Sequence, residues 1–444
     1  MTDFGASTGS VRVVQTPVRG AMPWVIWVLG SLTYLAAIIG RSSLAGVGTD
    51  VAVRFDADSS TLALFATLQL AVYGAMQIPA GLLLDRFGTR VVVTGGMLMM
   101  AGGSAWLAFA PDVGTAILAR ALTGAGDAMI FPSVLRLLTL WFPVRRVPLL
   151  QQITAQLGQL GQILSVTVLA SVVHGVSWAA AFAGLGGVFV VFAALNAAIT
   201  RERTVGQPDP GDRPRGRQLA LLGEALREPG TRLGFWVHFV TPFACTTFSL
   251  LWGVPYLTGA EGMTTAEAGA MISVLVVSGF VLAPVMGMLS GAHPRFRSLI
   301  AVVSVLAQAV VMALVLLSPG RAPLWLLVLW AVTLASGAAA SMIAFDITRR
   351  YTPVHRLSTA TGIVNMGGFV AALIAVYLVG FVLDLQGADP AAYTRGELRW
   401  AFASLALLWI VGLTGMAVES VRVRRAHPRR RPDEHRPPGA RDGR

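Results

Sequence analysis

The hydrophobic positions along the chain form long runs that are separated by short polar stretches. Windows of about 20 apolar residues, the length that an α-helix needs to cross a bilayer, recur twelve times. They predict spans 1 to 12 near residues 23–47, 60–84, 91–110, 114–140, 149–173, 179–199, 233–257, 265–290, 298–318, 323–347, 357–383 and 399–419. The pattern therefore predicts an all-α membrane protein with twelve transmembrane helices.

Composition supports this prediction. The chain is 55% hydrophobic and 13% charged, with a mean hydropathy of +0.68, whereas soluble proteins carry about 25% charged residues. The first apolar run is too long for a signal-peptide core and no small-residue cleavage site follows it, so we expect it to be retained as span 1. One cysteine, Cys245, excludes a disulfide within the chain and a cysteine-based metal cluster.

The arginines are distributed unevenly between the two sides of the predicted bundle. Lysine is absent, and 27 of the 34 arginines fall on the side of the N-terminus, against Arg54, Arg321, Arg395 and Arg399 on the other. The positive-inside rule therefore predicts that both termini are cytoplasmic, in a bacterial inner membrane. The same distribution explains the net charge of +12 without a nucleic-acid partner.

The chain divides into two halves. The longest interior polar stretch, 200–232, predicts a cytoplasmic linker between an N-terminal six-helix half, 23–199, and a C-terminal six-helix half, 233–419. Residues 1–22 are a predicted cytoplasmic tail. Residues 420–444 are rich in Pro and Arg and are predicted to be a disordered tail that is attracted to anionic lipid.

Weak internal similarity supports this division. GLLLDRFGTR (81–90) follows span 2 and GMLSGAHPRFR (287–297) follows span 8, while TAQLGQLGQIL (154–164) in span 5 matches TGIVNMGGFVA (361–371) in span 11. Two halves in parallel repeat predict a binding site between them, near the bilayer midplane.

Charged residues lie well inside predicted spans 1 and 4, where each costs about 2.5–3.5 kcal/mol at the helix centre. Arg136 lies near the end of span 4, so we expect it to extend to water. Arg120 and Asp127 share a face of the same helix but are about 10 Å apart, so each needs another partner. Arg41 of span 1 lies at an intermediate depth.

Polar residues accompany these charges. Tyr34 precedes Arg41 by seven residues, and Gln69, Tyr73 and Gln77 are spaced four apart on span 2. Gln156 of span 5 and Asn365 of span 11 complete the candidate substrate-binding set. Interhelical hydrogen bonding and the lining of a cavity both remain open for these side chains.

For the charges, a buried ion network is the alternative to a ligand cavity. The cavity is the better interpretation, because intramembrane charge is usually functional and guanidinium presents a planar fork to a carboxylate. Burial disfavours an ionised carboxyl, whereas a nearby arginine favours it. An anion that neutralises Arg41 would therefore make it easier for Asp127 to take up a proton, so the two binding events reinforce each other.

The loop after span 2 carries a recognisable pattern. Gly81 allows close helix contact, Gly88 permits a tight turn, and Asp85, Arg86 and Arg90 can pair at the membrane surface. The pattern G-x-L-x-D-R-x-G-x-R resembles the signature loop of the major facilitator superfamily. The resemblance implies that this loop latches the two halves on the cytoplasmic side. The second copy has Gly291 in place of the acid, so the latch is expected to be one-sided.

One branch of that superfamily, the anion:cation symporters, is similar in spans 1 and 4. The carrying segments are GRSSLAG around Arg41 and R-x-x-x-G-x-G-D from Arg120 to Asp127, followed by Phe131-Pro132 and Trp141-Phe142-Pro143. The resemblance implies that Arg41 binds the anionic group of the substrate, that Asp127 carries the proton and that Arg120 tunes Asp127.

Two departures from the branch are visible. Gly40 stands where many members have Asp, which puts a second coupled proton in doubt. Span 7 lacks an Arg, which argues against a two-arginine phosphate clamp, and His238 near its inner end is interpreted as structural. Asp346 and Arg349, at the inner end of span 10, are interpreted as gate or surface residues.

These features predict a secondary active transporter that works by alternating access and couples protons, or sodium, to the symport of a small organic anion. We expect a monomer in the bilayer without cofactor or metal, and no enzyme, because no nucleotide-binding loop or nucleophile constellation is visible. The alternatives are a proton-driven exporter of hydrophobic compounds, which would not need Arg41, and a transport-dead sensor on the same fold.

Overall fold

A computed structural model describes residues 20–44, 47–55, 68–69, 71–202, 218–389 and 392–427 of the chain. Within these ranges the chain forms helices and turns and no strand. In the described part of the chain, eleven helices are long and apolar enough to cross a membrane: Met22–Arg41, Gln77–Ala108, Val113–Trp141, Val147–Gly175, Trp178–Ile199, Pro229–Ala260, Thr265–Ala292, Pro294–Leu316, Leu324–Tyr351, Val354–Leu385 and Arg395–Ala426.

Spans 2 and 3 run together in the helix Gln77–Ala108. Its helical pattern is broken at Gly88, whose φ of 76° lies in the left-handed region that favours glycine. Residues 68–69 and 71–75 are also helical and extend span 2 toward its predicted start, whose first residues lie outside the described ranges. The helix therefore accounts for two of the twelve predicted spans.

Short segments that are not plain α-helix interrupt several of the spans. Span 4 consists of Val113–Asp127 and Ile130–Trp141, and span 10 of Leu324–Ala340 and Ile343–Tyr351. Span 12 consists of Arg395–Ala403 and Ala406–Ala426. The π-helical segments are Ser165–Leu169 in span 5, and Phe248–Trp252 and Tyr256–Ala260 in span 7.

Two predicted boundaries are wrong. Span 1 ends at Arg41 instead of near residue 47; a turn over residues 42–44 and a short helix, Gly48–Phe55, follow it. Span 12 continues to Ala426 instead of ending near 419, because the arginines of its last turn favour the negative end of the helix dipole. The predicted disordered tail falls from residue 428 onward outside the described residues.

The predicted linker contains a helix, Gln218–Arg227, which was not predicted because the segment as a whole is polar. Leu222 and Ala225 on one of its faces pack against Ala360 and Ile363 of span 11. Span 7 then begins at Pro229, a residue that is well tolerated at the first position of a helix. The linker therefore contacts the C-terminal half directly.

Span 4 approaches spans 2 and 3 closely through small residues. A Cβ added to Gly126 would lie 2.5 Å from the carbonyl oxygen of Gly96, and one added to Gly124 would lie 3.0 Å from that of Gln69. Small residues allow such close contact between membrane helices. The packing places the next residue, Asp127, against the helices of its own half.

Each half has a buried core and an apolar outer surface. Phe182 and Phe189 are among the largest buried side chains of the N-terminal half, and Trp330 and Phe402 among those of the C-terminal half. Outward-facing residues such as Val277, which is 62% exposed, are also apolar. This arrangement suits a bundle whose solvent is hydrocarbon on the outside.

Candidate functional site

A buried ion pair connects spans 1 and 4. The guanidinium of Arg41, the last residue of Met22–Arg41, donates from Nε and Nη2 to the two carboxylate oxygens of Asp127 at 2.6 and 3.0 Å. The Asp127 side chain is fully buried, whereas that of Arg41 is 23% exposed. This bidentate geometry is the strongest arrangement available to a carboxylate and an arginine.

Arg120 binds the end of span 1 instead of Asp127. Its Nη1 donates to the carbonyl of Gly40 at 3.1 Å and to the hydroxyl of Ser43 at 2.8 Å, and its Nη2 donates to the carbonyl of Arg41 at 3.0 Å and to Gln69. The last carbonyls of a helix have no partner within the helix, so a buried guanidinium satisfies them well. Arg120 thus fixes the backbone that carries Arg41.

Two tyrosines surround Arg41, as the spacing in spans 1 and 2 suggested. The Arg41 guanidinium carbon lies 4.1 Å from the centre of the Tyr73 ring, a cation–π contact. The Tyr34 ring packs against Phe131 of span 4, with 4.9 Å between ring centres. The exposed part of Arg41 therefore lies beside aromatic rings with polar hydroxyls.

The remaining predicted binding residues connect the two halves. Asn365 of span 11 donates to the side-chain oxygen of Gln77 at 2.7 Å, and Gln156 of span 5 donates to the carbonyl of Gly279 in span 8 at 3.3 Å. Tyr73 also packs against Phe369 of span 11, with 4.8 Å between the ring centres and the rings tilted by 58°. The Arg41–Asp127 pair thus lies next to the interface between the halves.

A second charged cluster lies at the end of the bundle where both described termini are found, which we call the Arg-rich end. Asp85 accepts hydrogen bonds from the backbone N–H groups of Ser358 and Thr359 at 3.2 and 2.7 Å, and from the Thr359 hydroxyl at 2.7 Å. A Cβ added to Gly81 would lie 2.5 Å from the carbonyl oxygen of Ser358. The loop after span 2 is therefore in direct contact with the start of span 11.

Arg136 belongs to this cluster, so the expectation that it extends to water is wrong. It is 4% exposed and donates to Asp85 and to the Ser358 hydroxyl, each at 2.8 Å, and to Glu202 at 2.9 Å. The reason is that two carboxylates and a hydroxyl are within its reach. These partners accept hydrogen bonds from the buried guanidinium, and the sequence of span 4 alone does not reveal them.

Glu202 is the third member of the cluster, beyond the end of span 6. It accepts from the backbone N–H and the hydroxyl of Thr89, both at 2.6 Å, and the left-handed turn at Gly88 presents both groups. Burial alone would raise the pKa of Glu202, but the charge of Arg136 and the Thr89 hydrogen bonds lower it below its usual value.

Arg86 and Arg90 do not pair with Asp85 as predicted. Both are exposed, and the Arg86 guanidinium lies over the Phe87 ring at 4.7 Å. The carboxylate of Asp85 instead faces the other half, where stronger donors are available. His238 lies against the Ser341 carbonyl at 3.1 Å and the Phe345 ring, which agrees with its interpretation as a structural residue.

Some functional candidates had no signal in the sequence. Ser358, Thr359 and Glu202 are ordinary polar residues near helix ends, and their role depends on contacts with residues 66 to 274 positions away. Among the described residues, no group of three or more His, Cys, Asp and Glu side chains is arranged to hold a metal ion.

Comparison with known proteins agrees with this architecture. The profile of the Major Facilitator Superfamily matches residues 30–345 and, in a second match, residues 236–443. The chain is 24% identical to a probable sulfoacetate transporter of Cupriavidus necator, covering 85% of this chain and 91% of that protein. It is 21% identical to a probable galactarate/D-glucarate transporter of Pseudomonas putida, covering 90% and 92%.

The fold is also similar to a solved transporter structure. The Escherichia coli fucose:proton symporter superposes with a TM-score of 0.62 at 17% sequence identity, covering 89% of this chain and 99% of that one. At this identity the likeness supports the twelve-helix, two-half fold and leaves the substrate to be argued from the site.

Proposed function

Because the chain belongs to the Major Facilitator Superfamily, whose members are transporters and not enzymes, we propose that it carries a small organic anion together with a proton by alternating access. The observation that carries this proposal is the buried bidentate pair of Arg41 and Asp127. A partly exposed guanidinium beside the interface between the halves offers a charged partner to an anionic substrate.

The pair provides a simple coupling step. An anionic group that enters the site competes with Asp127 for the guanidinium of Arg41, whose Nε and Nη2 the carboxylate occupies, and we infer that it displaces that carboxylate. A buried carboxylate without a partner is costly, so the displaced Asp127 takes up a proton. When the anion leaves, Asp127 returns to Arg41 and releases the proton. Each ligand therefore favours the binding of the other.

The surrounding residues suit an anion that also carries hydroxyls or a short apolar body. Tyr73 lies beneath the Arg41 guanidinium and Tyr34 interacts with Arg41 through its hydroxyl, so both offer aromatic faces and hydroxyls. Gln156 and Asn365 hold the halves together in this arrangement, and their amides become available to a substrate when the halves part. Gln69 supports the site through Arg120. Sulfonates and sugar acids, named for the two relatives, are the first candidates.

We further propose that the Asp85 cluster closes the Arg-rich end during the transport cycle and that this end is cytoplasmic, in a bacterial inner membrane. Hydrogen bonds from both halves meet at Asp85, so the halves cannot separate there without losing them. A reporter fused to the C-terminus tests the orientation: activity in the cytoplasm supports it, and activity only outside contradicts it.

The experiment for the substrate class uses the purified protein. A thermal-stabilisation screen of carboxylates, sugar acids, sulfonates and phosphates identifies a ligand, and proteoliposomes then measure its uptake. D-Glucarate and sulfoacetate are the first probes, and D-glucitol is the neutral control with the carbon skeleton of D-glucarate. We expect an inward proton gradient to drive accumulation of an acid but not of D-glucitol.

Two results would contradict the proposal. Accumulation driven by a sodium gradient, without any effect of a proton gradient, would replace the proton as the coupled ion. Stabilisation by hydrophobic compounds, with no response to any anion in the screen, would favour the exporter, for which Arg41 is dispensable.

A further inference from the structure

The two halves cross each other twice at the Arg-rich end, in related ways. A Cβ added to Gly81, after span 2, would lie 2.5 Å from the Ser358 carbonyl oxygen at the start of span 11. A Cβ added to Gly287, near the end of span 8, would lie 2.8 Å from the Leu149 Cα at the start of span 5. These glycines occupy the same position in the two copies of the loop repeat.

The copies differ four residues after these glycines, where the first has Asp85 and the second has Gly291. A Cβ added to Gly291 would lie 2.6 Å from the carbonyl oxygen of Arg145 in the other half. This close backbone contact leaves no room for a carboxylate. A carboxylate that joins the halves where spans 8 and 5 meet must therefore come from another element.

Asp346 of span 10 supplies a carboxylate at that place. It is 1% exposed and accepts from the Ser290 hydroxyl at 2.5 Å, from the side-chain amide of Gln151 at 3.1 Å, and from Arg349. Gln151 belongs to span 5, in the other half, and its amide also donates to the Met342 carbonyl at 3.1 Å. Asp346 is thus bonded from both halves, as Asp85 is.

The parts of the two clusters correspond. Gln151 lies three residues before the repeat segment 154–164, and Ser358 lies three residues before its partner 361–371. A guanidinium of the same half accompanies each acid, Arg136 beside Asp85 and Arg349 beside Asp346. The acid lies on different elements in the two clusters: the loop carries it in the first, and span 10 carries it, together with its arginine, in the second.

The clusters also lie side by side. One small cavity is lined by Arg136 and Ser358 of the first cluster and by Gln151 and Arg349 of the second, together with Thr361. Nη2 of Arg136 and Oε1 of Gln151 are buried without a hydrogen-bond partner in the structure. A donor and an acceptor from different clusters therefore border the same space.

We propose that Asp346 is the second gate acid of this transporter and that its bond from Gln151 closes the Arg-rich end together with the Asp85 cluster. The latch is therefore two-sided, contrary to the expectation from Gly291. Asp346 acts as a positioning residue, since it holds the halves and touches no substrate. The inference rests on the proposed gate at the Arg-rich end but not on the identity of the transported anion.

The test measures access to the shared cavity. Cys245 is replaced by Ser, and Thr361→Cys places a reporter thiol in the cavity lining. The rate of alkylation by a charged maleimide is then measured in purified protein. We expect Gln151→Leu and Asp346→Asn each to raise this rate about threefold to tenfold, the change expected for one lost buried hydrogen bond. The double variant should add little to the labelling rate, because both changes weaken or remove the Gln151–Asp346 bond between the halves.

Gln151→Leu leaves the contacts of Asp346 within its own half intact, so it keeps the test decisive if Asp346→Asn folds poorly. Glu419→Gln is the matched control, since Glu419 is a buried acid of the same half that pairs with Arg232 and Arg422 there; its labelling rate should equal that of the parent. If Asp346 had a purely structural role, Asp346→Asn would lower the melting temperature without raising the labelling rate of the cavity.

Asp85→Asn separates the two proposals. If Asp85→Asn raises the labelling rate and neither Gln151→Leu nor Asp346→Asn does so, the proposal that Asp346 is a second gate acid is rejected. The proposed gate at the Asp85 cluster is then retained. If none of the three changes the labelling rate, the gate at the Arg-rich end is rejected as well.

Discussion

Two of the buried arginine–aspartate pairs in the described part of the chain, Arg41–Asp127 and Arg136–Asp85, have different surroundings. Both hydrogen bonds shown for Asp127 come from one guanidinium, that of Arg41, within the N-terminal half. Asp85 is bonded by Arg136 of its own half and by Ser358 and Thr359 of the other half. Near the middle of the bundle, Asp127 is therefore held by one side chain alone. At the Arg-rich end, Asp85 is held by a network that joins the two halves.

The difference indicates how each pair can respond to a ligand. A competing anion can release Asp127 by binding one side chain, so this pair suits an exchange between substrate and proton. No single competitor can release Asp85, because its partners include backbone N–H groups that are fixed by the start of span 11. Asp85 therefore changes partners only when the halves move.

The largest effect is expected from Asp127→Asn. Asparagine has the shape of the protonated carboxyl but cannot ionise, so the variant should bind the anion and exchange it across the membrane while losing all accumulation driven by a proton gradient. Reconstituted exchange and pH-driven uptake of the same ligand measure the two activities. Asp50→Asn is the control, a partly exposed acid of the same half, and should change neither. Full pH-driven accumulation by Asp127→Asn would disprove its role as proton carrier.

The second-largest effect is expected from Arg41→Lys, which tests the paired N–H donors of the Arg41 guanidinium. Arg41→Lys keeps the charge but loses the planar pair of donors. Hydrogen bonds to charged groups contribute about 1.5–3 kcal/mol, so the dissociation constant of the anion should rise about tenfold to one hundredfold. Binding is measured by ligand-dependent thermal stabilisation, with the surface variant Arg54→Lys as the control. An unchanged dissociation constant in the folded variant would show that Arg41 does not hold the anion.

The sequence was sufficient for the fold because hydrophobic length is a strong constraint in a membrane. It also located Arg41, Arg120 and Asp127, because a charge in an apolar run is conspicuous. It could not locate the end of span 1 at Arg41, since residues 42–47 are apolar enough to continue a helix. The turn there depends on Arg120, which binds the last carbonyls of the helix from another span.

Partners across the chain were harder to predict than the charged residues themselves. Arg136 was expected to reach water because its own helix shows a nearby end, but Asp85, Glu202 and Ser358 are closer. For Asp346 the sequence allows a gate or a surface position, since Gly291 in the loop gives no sign that a carboxylate of span 10 lies beside it. Such contacts depend on how two helices cross, which periodicity within one helix does not encode.

A smaller effect is expected at the network of the Arg-rich end. Asp85→Asn keeps the size of the side chain but loses its charge, which weakens the bonds from Arg136 and from span 11. We expect the transport rate to fall about threefold to tenfold, with membrane insertion and the dissociation constant of the anion close to those of the parent. Transport at the parent rate in well-expressed protein would contradict a role in the conformational cycle.

The smallest effect should come from Glu202→Gln, at the edge of the same network. Because the pKa of Glu202 is held below the usual 4.5, its ionised form stabilises the folded protein at any pH above that value, and this contribution disappears as the pH falls through the folded pKa. The variant should therefore lose about 0.5–1.5 kcal/mol of stability at neutral pH.

The pH dependence distinguishes this charge effect from a packing effect. The difference in melting temperature between the parent and Glu202→Gln should be constant from neutral to mildly acidic pH and should shrink below the usual pKa of glutamate, 4.5. Asp384→Asn, at an exposed carboxylate of the other half, is the control and should not reproduce this profile. A difference that persists unchanged at the lowest pH would mean that Glu202 contributes through its shape, and that Arg136 is held mainly by Asp85.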